Sequence, residues 1–174
     1  MGLFNGRNLV KRLKMSFYDF KINKPNGEKL ELKNYKGKVI LAVNTATKCG
    51  LAPQFKGLEY LHKKHNKNGL VVLGFPCSQF LNQEPETNES VEKVCQENFG
   101  VTFQLTEKIE VNGSNTHDIF KHLKAKKKGF LGTRIKWNFT KFLISKSGKV
   151  LRRYSPTTTP EVIEKDIIYL LSEI

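Results

Sequence analysis

Between Lys38 and Phe55 the chain reads KVILAVNTATKCGLAPQF, an apolar run that leads straight to a cysteine. Val39, Ile40, Leu41, Ala42 and Val43 form a continuous β-prone stretch, the pattern of a strand covered on both faces in an α/β sheet. Cys49 lies just beyond its end, and Gly50 permits a tight turn. Pro53, with fixed φ and no N–H, suits a first helical turn, after which Phe55, Leu58, Leu61 and His65 share one face. The stretch therefore predicts strand, cysteine turn, helix. Unsatisfied N–H groups at a helix start favour a thiolate, the attacking form of cysteine, and Lys48 adds a positive charge beside it. The alternative is an inert thiol at a strand end. Gly50 and the adjacent Lys48 argue against it.

The rest of the chain extends this unit. Gly69 ends the helix and Leu70 to Phe75 forms a second apolar strand, giving a βαβ unit with a parallel pair. Before it, Phe17, Tyr18 and Phe20, the turn Pro25-Asn26-Gly27 and Lys29 to Leu32 read as an N-terminal β-hairpin. After it, Thr87 or Ser90 can cap a helix through Asn98 that Gly100 closes, with Val91, Val94, Cys95 and Phe99 on one face. Val101 to Val111 is β-prone. Asn115 or Thr116 can cap a helix with Ile119, Phe120 and Leu123 inward, followed by Lys124 to Gly132 as loop. Phe139 to Ser145 and Lys149 to Tyr154 read as an antiparallel hairpin, and Thr159 with Pro160 starts a last helix carrying Ile163, Ile167, Leu170, Leu171 and Ile174. This order, with a cysteine at the first strand-to-helix turn, is an α/β thioredoxin-like fold: a central mixed sheet flanked by helices, with an N-terminal β-hairpin. Its usual CxxC is missing, since Gly50, Leu51 and Ala52 follow Cys49.

Charge and cysteine usage bound the function. Residues 15–174 suffice for one such domain, and Met1 to Lys14, with four basic residues and no acid, reads as an N-terminal extension or an organelle leader. Gly at position 6 counts against myristoylation of Gly2. The net charge of +14 raises the prior for nucleic acid or anionic lipid, yet the charges are scattered and the basic runs lack interleaved aromatics, which favours a solvated surface. Three cysteines, at 49, 77 and 95, fit a reducing compartment, cytoplasmic or, with a leader, organellar. His62 with His65 and His117 with His122 complete no metal-ligand set and read as helix-surface residues.

Four stretches carry a resemblance: NTATKCGLAPQFKGLEYLH, GFPCSQFLNQEP, ENFGVTF and KWNFTKFL. In this order and spacing they make the chain, over about Met15 to Leu171, similar to the glutathione peroxidase family in its cysteine-containing form. The resemblance implies a thiol peroxidase for hydrogen peroxide and organic or lipid hydroperoxides, with Cys49 as peroxidatic residue and Gln83, Trp137 and Asn138 completing its tetrad. Amide and indole N–H groups suit that role as donors to the thiolate and to the developing oxyanion. Singly, Trp137 also reads as core, Asn138 as turn chemistry and Gln83 as loop surface.

The resemblance further makes Cys95 a resolving cysteine that closes a disulfide with Cys49, recycled by a thioredoxin-like protein or by glutathione, with no metal or other cofactor. Its own context also fits a buried helix cysteine. Cys77 reads as structural, Lys48 and Gly50 as supporting the Cys49 turn. Ser78 and Ala52 depart from the family's usual Asn and Thr. By the same resemblance, the short link from Leu123 to Trp137 implies a monomer, or at most a weak dimer, with an open site, and the basic surface suits weak contact with anionic membranes. A peroxide sensor relaying its disulfide to a client, and a nucleic-acid or lipid binding module, are the competing readings.

Overall fold

Residues 15–173 are described by a computed structural model of the protein, so the Met1 to Lys14 extension lies outside the described residues. Ile22–Asn23 (β1) and Lys29–Leu30 (β2) form the expected antiparallel hairpin, shorter than the sequence predicts. Phe17–Asp19 and Leu32–Tyr35 are 3-10 turns instead. Ser16 N–H donates to the Asp19 carboxylate at 2.8 Å, a local bond that competes with strand extension.

Five strands make the main sheet: Val39–Thr45 (β3), Leu70–Pro76 (β4), Gln104–Leu105 (β5), Lys141–Ile144 (β6) and Val150–Tyr154 (β7), in the order β5-β4-β3-β6-β7. β3 runs parallel to β4 and antiparallel to β6, so the sheet is mixed and the strand that leads to Cys49 is central. Alternate side chains of β3 enter different cores, which explains its unbroken apolar run. Val39, Leu41 and Val43 pack with helices Gln54–His65 (α1), Val91–Phe99 (α2) and Pro160–Ser172 (α4). Ile40 and Ala42 face Asp118–Lys126 (α3) and the N-terminal aromatic residues.

Phe55, in the first turn of α1, ties the first core together: its ring centroid lies 4.9 Å from Phe99 and 5.2 Å from Phe139. Truncating such a fully buried ring to Ala costs about 3–5 kcal/mol.

Several expectations need correction. α3 is capped by His117, whose Nδ1 accepts the Ile119 N–H at 3.2 Å, because the Thr116 hydroxyl is spent on the Gly113 carbonyl at 2.7 Å. Lys124 to Lys126 belong to that helix rather than to the loop. Between Val101 and Val111 only β5 is strand; beyond it Thr106 and Ile109 donate to the Gly74 and Pro76 carbonyls in an irregular course along β4. His65 is buried, not on the surface, because α4 covers the end of α1 and Glu164 meets its Nε2 at 2.7 Å. Glu59 is likewise buried and accepts from Thr102, N–H at 2.8 Å and hydroxyl at 2.5 Å. Among the described residues no helix is long and apolar enough to cross a membrane.

Candidate active site

The sheet delivers Cys49 just past the C-terminal end of its central strand, where open α/β sheets place their ligands. The thiol is 6% exposed and its Sγ accepts the Leu51 N–H at 3.3 Å. Helix α1 begins only at Gln54, so the donor to sulfur belongs to the turn and not to the helix's first residues. Gly50 is not sterically required there, since a Cβ would meet nothing within 4 Å. It is exposed beside the thiol and leaves that side open. The Lys48 side chain points to solvent, while its N–H donates to the Gln83 carbonyl at 2.9 Å.

That bond fastens the Cys49 turn to a second loop in which Leu81 and Asn82 take successive left-handed conformations, φ 52° and 51°. Gln83 follows them, half-buried, and its Oε1 accepts the Asn138 Nδ2 at 2.9 Å. With the oxygen so occupied, the remaining end of the Gln83 amide is a donor. Asn138 thus commits one of its two N–H donors to Gln83, a bond between the two amides that the sequence does not show. Asn138 orients and Gln83 presents. Asn138 is fully buried although its Oδ1 has no hydrogen-bond partner among the described residues, a cost of about 1–3 kcal/mol that the surrounding backbone must enforce.

Asn44, in β3, supplies that enforcement, and the sequence gives no sign of it. Its Nδ2 donates to the Trp137 carbonyl at 3.2 Å, its Oδ1 accepts the Thr140 N–H at 3.1 Å, and its carbonyl accepts the Phe139 N–H at 2.7 Å. Phe139 pays for the turn with a left-handed φ of 62°, a conformation an aromatic residue adopts only when overdetermined. Asn112 grips the approach to the same turn, donating to the Ile135 carbonyl at 2.8 Å and accepting its N–H at 3.0 Å. The Trp137 ring, half-buried, lies 5.7 Å from that of Phe80 and packs against both cores, one of which contains Cys49.

Cys95 is fully buried on α2, in the same apolar cluster as Cys49. Burial pushes its thiol up to about 12, and Glu84, Glu86 and Glu92 add to the shift. Cys77 is buried in the cluster on the other side of the sheet, with its thiol also raised by burial. The sheet thus groups Cys49 with Cys95 and separates both from Cys77, and all three are thiols. Glu84 is a further buried group that sequence reading missed: its carboxylate holds Thr47, two residues before Cys49. Among the described residues no three His, Cys, Asp or Glu side chains gather in a way that could hold a metal ion.

Known proteins are similar to this chain in sequence and fold. The glutathione peroxidase family model matches residues 17–124. A glutathione peroxidase of Lactococcus lactis subsp. cremoris is 50% identical over 157 residues, covering 90% of this chain and 100% of the relative. The glutathione peroxidase-like peroxiredoxin 2 of Saccharomyces cerevisiae is 48% identical, covering 91% and 98%. Among solved structures, T. cruzi GPX1 superposes with a TM-score of 0.77 at 34% identity, over 92% of this chain and 100% of that one. A thioredoxin-family thiol:disulfide interchange protein from Chlorobium tepidum TLS, at 14% identity and TM-score 0.67 over 88% and 93%, shares the fold.

Proposed function

The chain belongs to the glutathione peroxidase family, and on that premise we propose how its thiols reduce peroxides. The Cys49 thiolate attacks one peroxide oxygen; an S–O bond forms, the O–O bond breaks, and the departing alkoxide or hydroxide takes a proton to leave as alcohol or water. Cys49 is left as a sulfenic acid. Gln83, oriented by Asn138, and the Trp137 indole donate to the sulfur before attack and to the charge that develops on oxygen. The observation that carries this reading is the Asn138–Gln83 bond of 2.9 Å, which joins two stretches distant in sequence beside the Cys49 turn.

In the second half-reaction α2 opens locally, the Cys95 thiolate attacks the Cys49 sulfur, an S–S bond forms and hydroxide leaves as water. A thioredoxin-like dithiol then reduces the disulfide by exchange, in preference to glutathione. The reading includes a monomer working in a thiol-reducing compartment such as the cytoplasm, with Lys48 and Gly50 supporting the turn. Weak contact with anionic membranes is favoured by Phe130 and Leu131, each 82% exposed amid Lys126, Lys127, Lys128 and Lys136.

Peroxide turnover with thioredoxin and with glutathione tests this, for the native chain, Cys49→Ser and Cys95→Ser. The expected result is no turnover without Cys49 and loss of the thioredoxin-dependent rate without Cys95. Full thioredoxin-dependent activity in Cys95→Ser overturns the resolving role, and peroxidase activity in Cys49→Ser overturns the whole mechanism.

A further inference from the structure

Glu84 is a buried acid that the thiol chemistry leaves without a task. It directly follows Gln83, is 1% exposed, and burial raises its pKa. Its Oε2 accepts the Thr47 N–H at 3.0 Å, while Oε1 accepts the Thr47 hydroxyl at 2.8 Å and the Glu86 N–H at 3.3 Å. Its carbonyl accepts from Lys108 Nζ at 3.0 Å. Three donors on two oxygens call for a carboxylate, because an amide would turn an NH2 toward at least one of them. Withdrawing a carboxylate from water is costly, and joining two loops does not by itself need a charge. What the charge secures is a two-point grip on a single residue, Thr47, whose neighbour Lys48 is bonded through its N–H to Gln83.

We propose that Glu84 is a positioning residue for peroxide cleavage: by gripping Thr47 it fixes where the Cys49 sulfur stands relative to the Gln83 amide on the facing loop. The proposal rests on the reading of Cys49 as nucleophile and Gln83 as donor. The grip precedes Cys49 by two residues and follows Gln83 by one, so slack in it moves the two reacting partners apart without touching either. Leu51 N–H, the donor to the sulfur, lies on the other side of Cys49 and is unaffected. Loss of the grip therefore misaligns the Gln83 donor at the developing oxygen charge, while the Leu51 N–H and the Trp137 indole still hold the thiolate.

The test uses Glu84→Gln and Thr47→Val, singly and together, in the full chain. Two rates are measured at a temperature where each variant is folded, normalised to titratable Cys49: single-turnover oxidation by hydrogen peroxide, and alkylation by iodoacetamide. The first needs the Gln83 donor where charge develops on the leaving oxygen, whereas the second develops no such charge and senses Gln83 only through the thiolate. Each single variant should lower the peroxide rate by about 10-fold or more, as expected when reacting groups shift by a fraction of an ångström, with alkylation changed by less than about 2-fold. The double variant should be no slower than the slower single one. An unchanged peroxide rate, a parallel fall in alkylation, or additive losses overturns the proposal. If Glu84→Gln does not fold, Thr47→Val, which removes only the hydroxyl arm, decides by the same two rates. Failure of the premise shows separately, as peroxide reduction that survives Cys49→Ser.

Discussion

Around Cys49 the chain is fastened from several directions: Leu51 N–H on the sulfur, Lys48 N–H on the Gln83 carbonyl, and Thr47 on Glu84, all at the end of a strand paired on both sides. Around Cys95 it is not. Helix α2 has nine residues, of which only Val91 and Cys95 are fully buried, and its Ser90 cap position makes no side-chain capping bond. Gly100 stops it in a left-handed conformation, φ 71°, that suits glycine. The two thiols share one apolar cluster but differ in what restrains them: hydrogen bonds among loops for Cys49, side-chain burial on a short helix for Cys95. A fixed nucleophile and a concealed partner imply that one half of the cycle runs on the resting structure and the other requires local opening.

The largest test of this contrast removes the fixed thiol. Cys49→Ser should lower peroxide turnover by at least about 10³-fold, as loss of a nucleophile does; residual turnover near the native rate would place the chemistry at another cysteine. Next, Cys95→Ser should leave single-turnover peroxide consumption intact yet slow thioredoxin-dependent recycling by roughly 100-fold, the order of an intramolecular advantage. Equal effects of the two substitutions on the first step would erase the division of labour.

A smaller loss is expected from Asn44→Ala, which frees the Trp137–Thr140 turn. The peroxide rate should fall by about 10-fold and stability by about 2–3 kcal/mol, read by stopped flow and chemical unfolding, with Cys95 alkylation unaffected. Any rise in Cys95 reactivity in that variant would mean that the two regions are coupled. Smallest is the pH effect. The Cys95 thiol is raised to about 12 in the fold, so the unfolded or opened segment ionises first. The burial contribution is complete below the unfolded pKa of about 8.5 and is lost, at about 1.4 kcal/mol per pH unit, as pH rises from there towards the folded value. Raising pH from 7 to 9 should therefore lower the protection of α2 amides relative to their base-catalysed intrinsic exchange rates and quicken disulfide formation, with little change in the protection of β3.

The contrast also marks how far the sequence could be read. The β3 strand, the Cys49 turn and α1 were legible because their signals are local: an apolar run, a helix-breaking turn and a 3.6-residue stripe. Cys95 was legible as a helix residue on the Val91 face for the same reason. What escaped were polar partners across long chain separations. Asn44 meets Trp137 and Thr140, Glu84 meets Thr47, and Glu59 meets Thr102; nothing near any of these residues announces the other. His65 read both as a member of the Phe55, Leu58 and Leu61 face and as helix surface; packing of α4 against α1 decides for the buried face. The His117 cap was missed because imidazole is an uncommon capping acceptor beside Asn115 and Thr116. Asn138 was identified, but its bond to Gln83 was not, since the pairing of two side-chain amides from distant loops is settled by orientation.

The chain contains a single tryptophan, and Trp137 packs against both apolar clusters. Indole emission from the unmodified protein therefore arises at one known point, the seam between the Cys49 side and the Phe80 side of the sheet. A spectral shift on adding peroxide, followed by its reversal on adding dithiol, would make this protein its own optical gauge, with no label attached and no residue replaced.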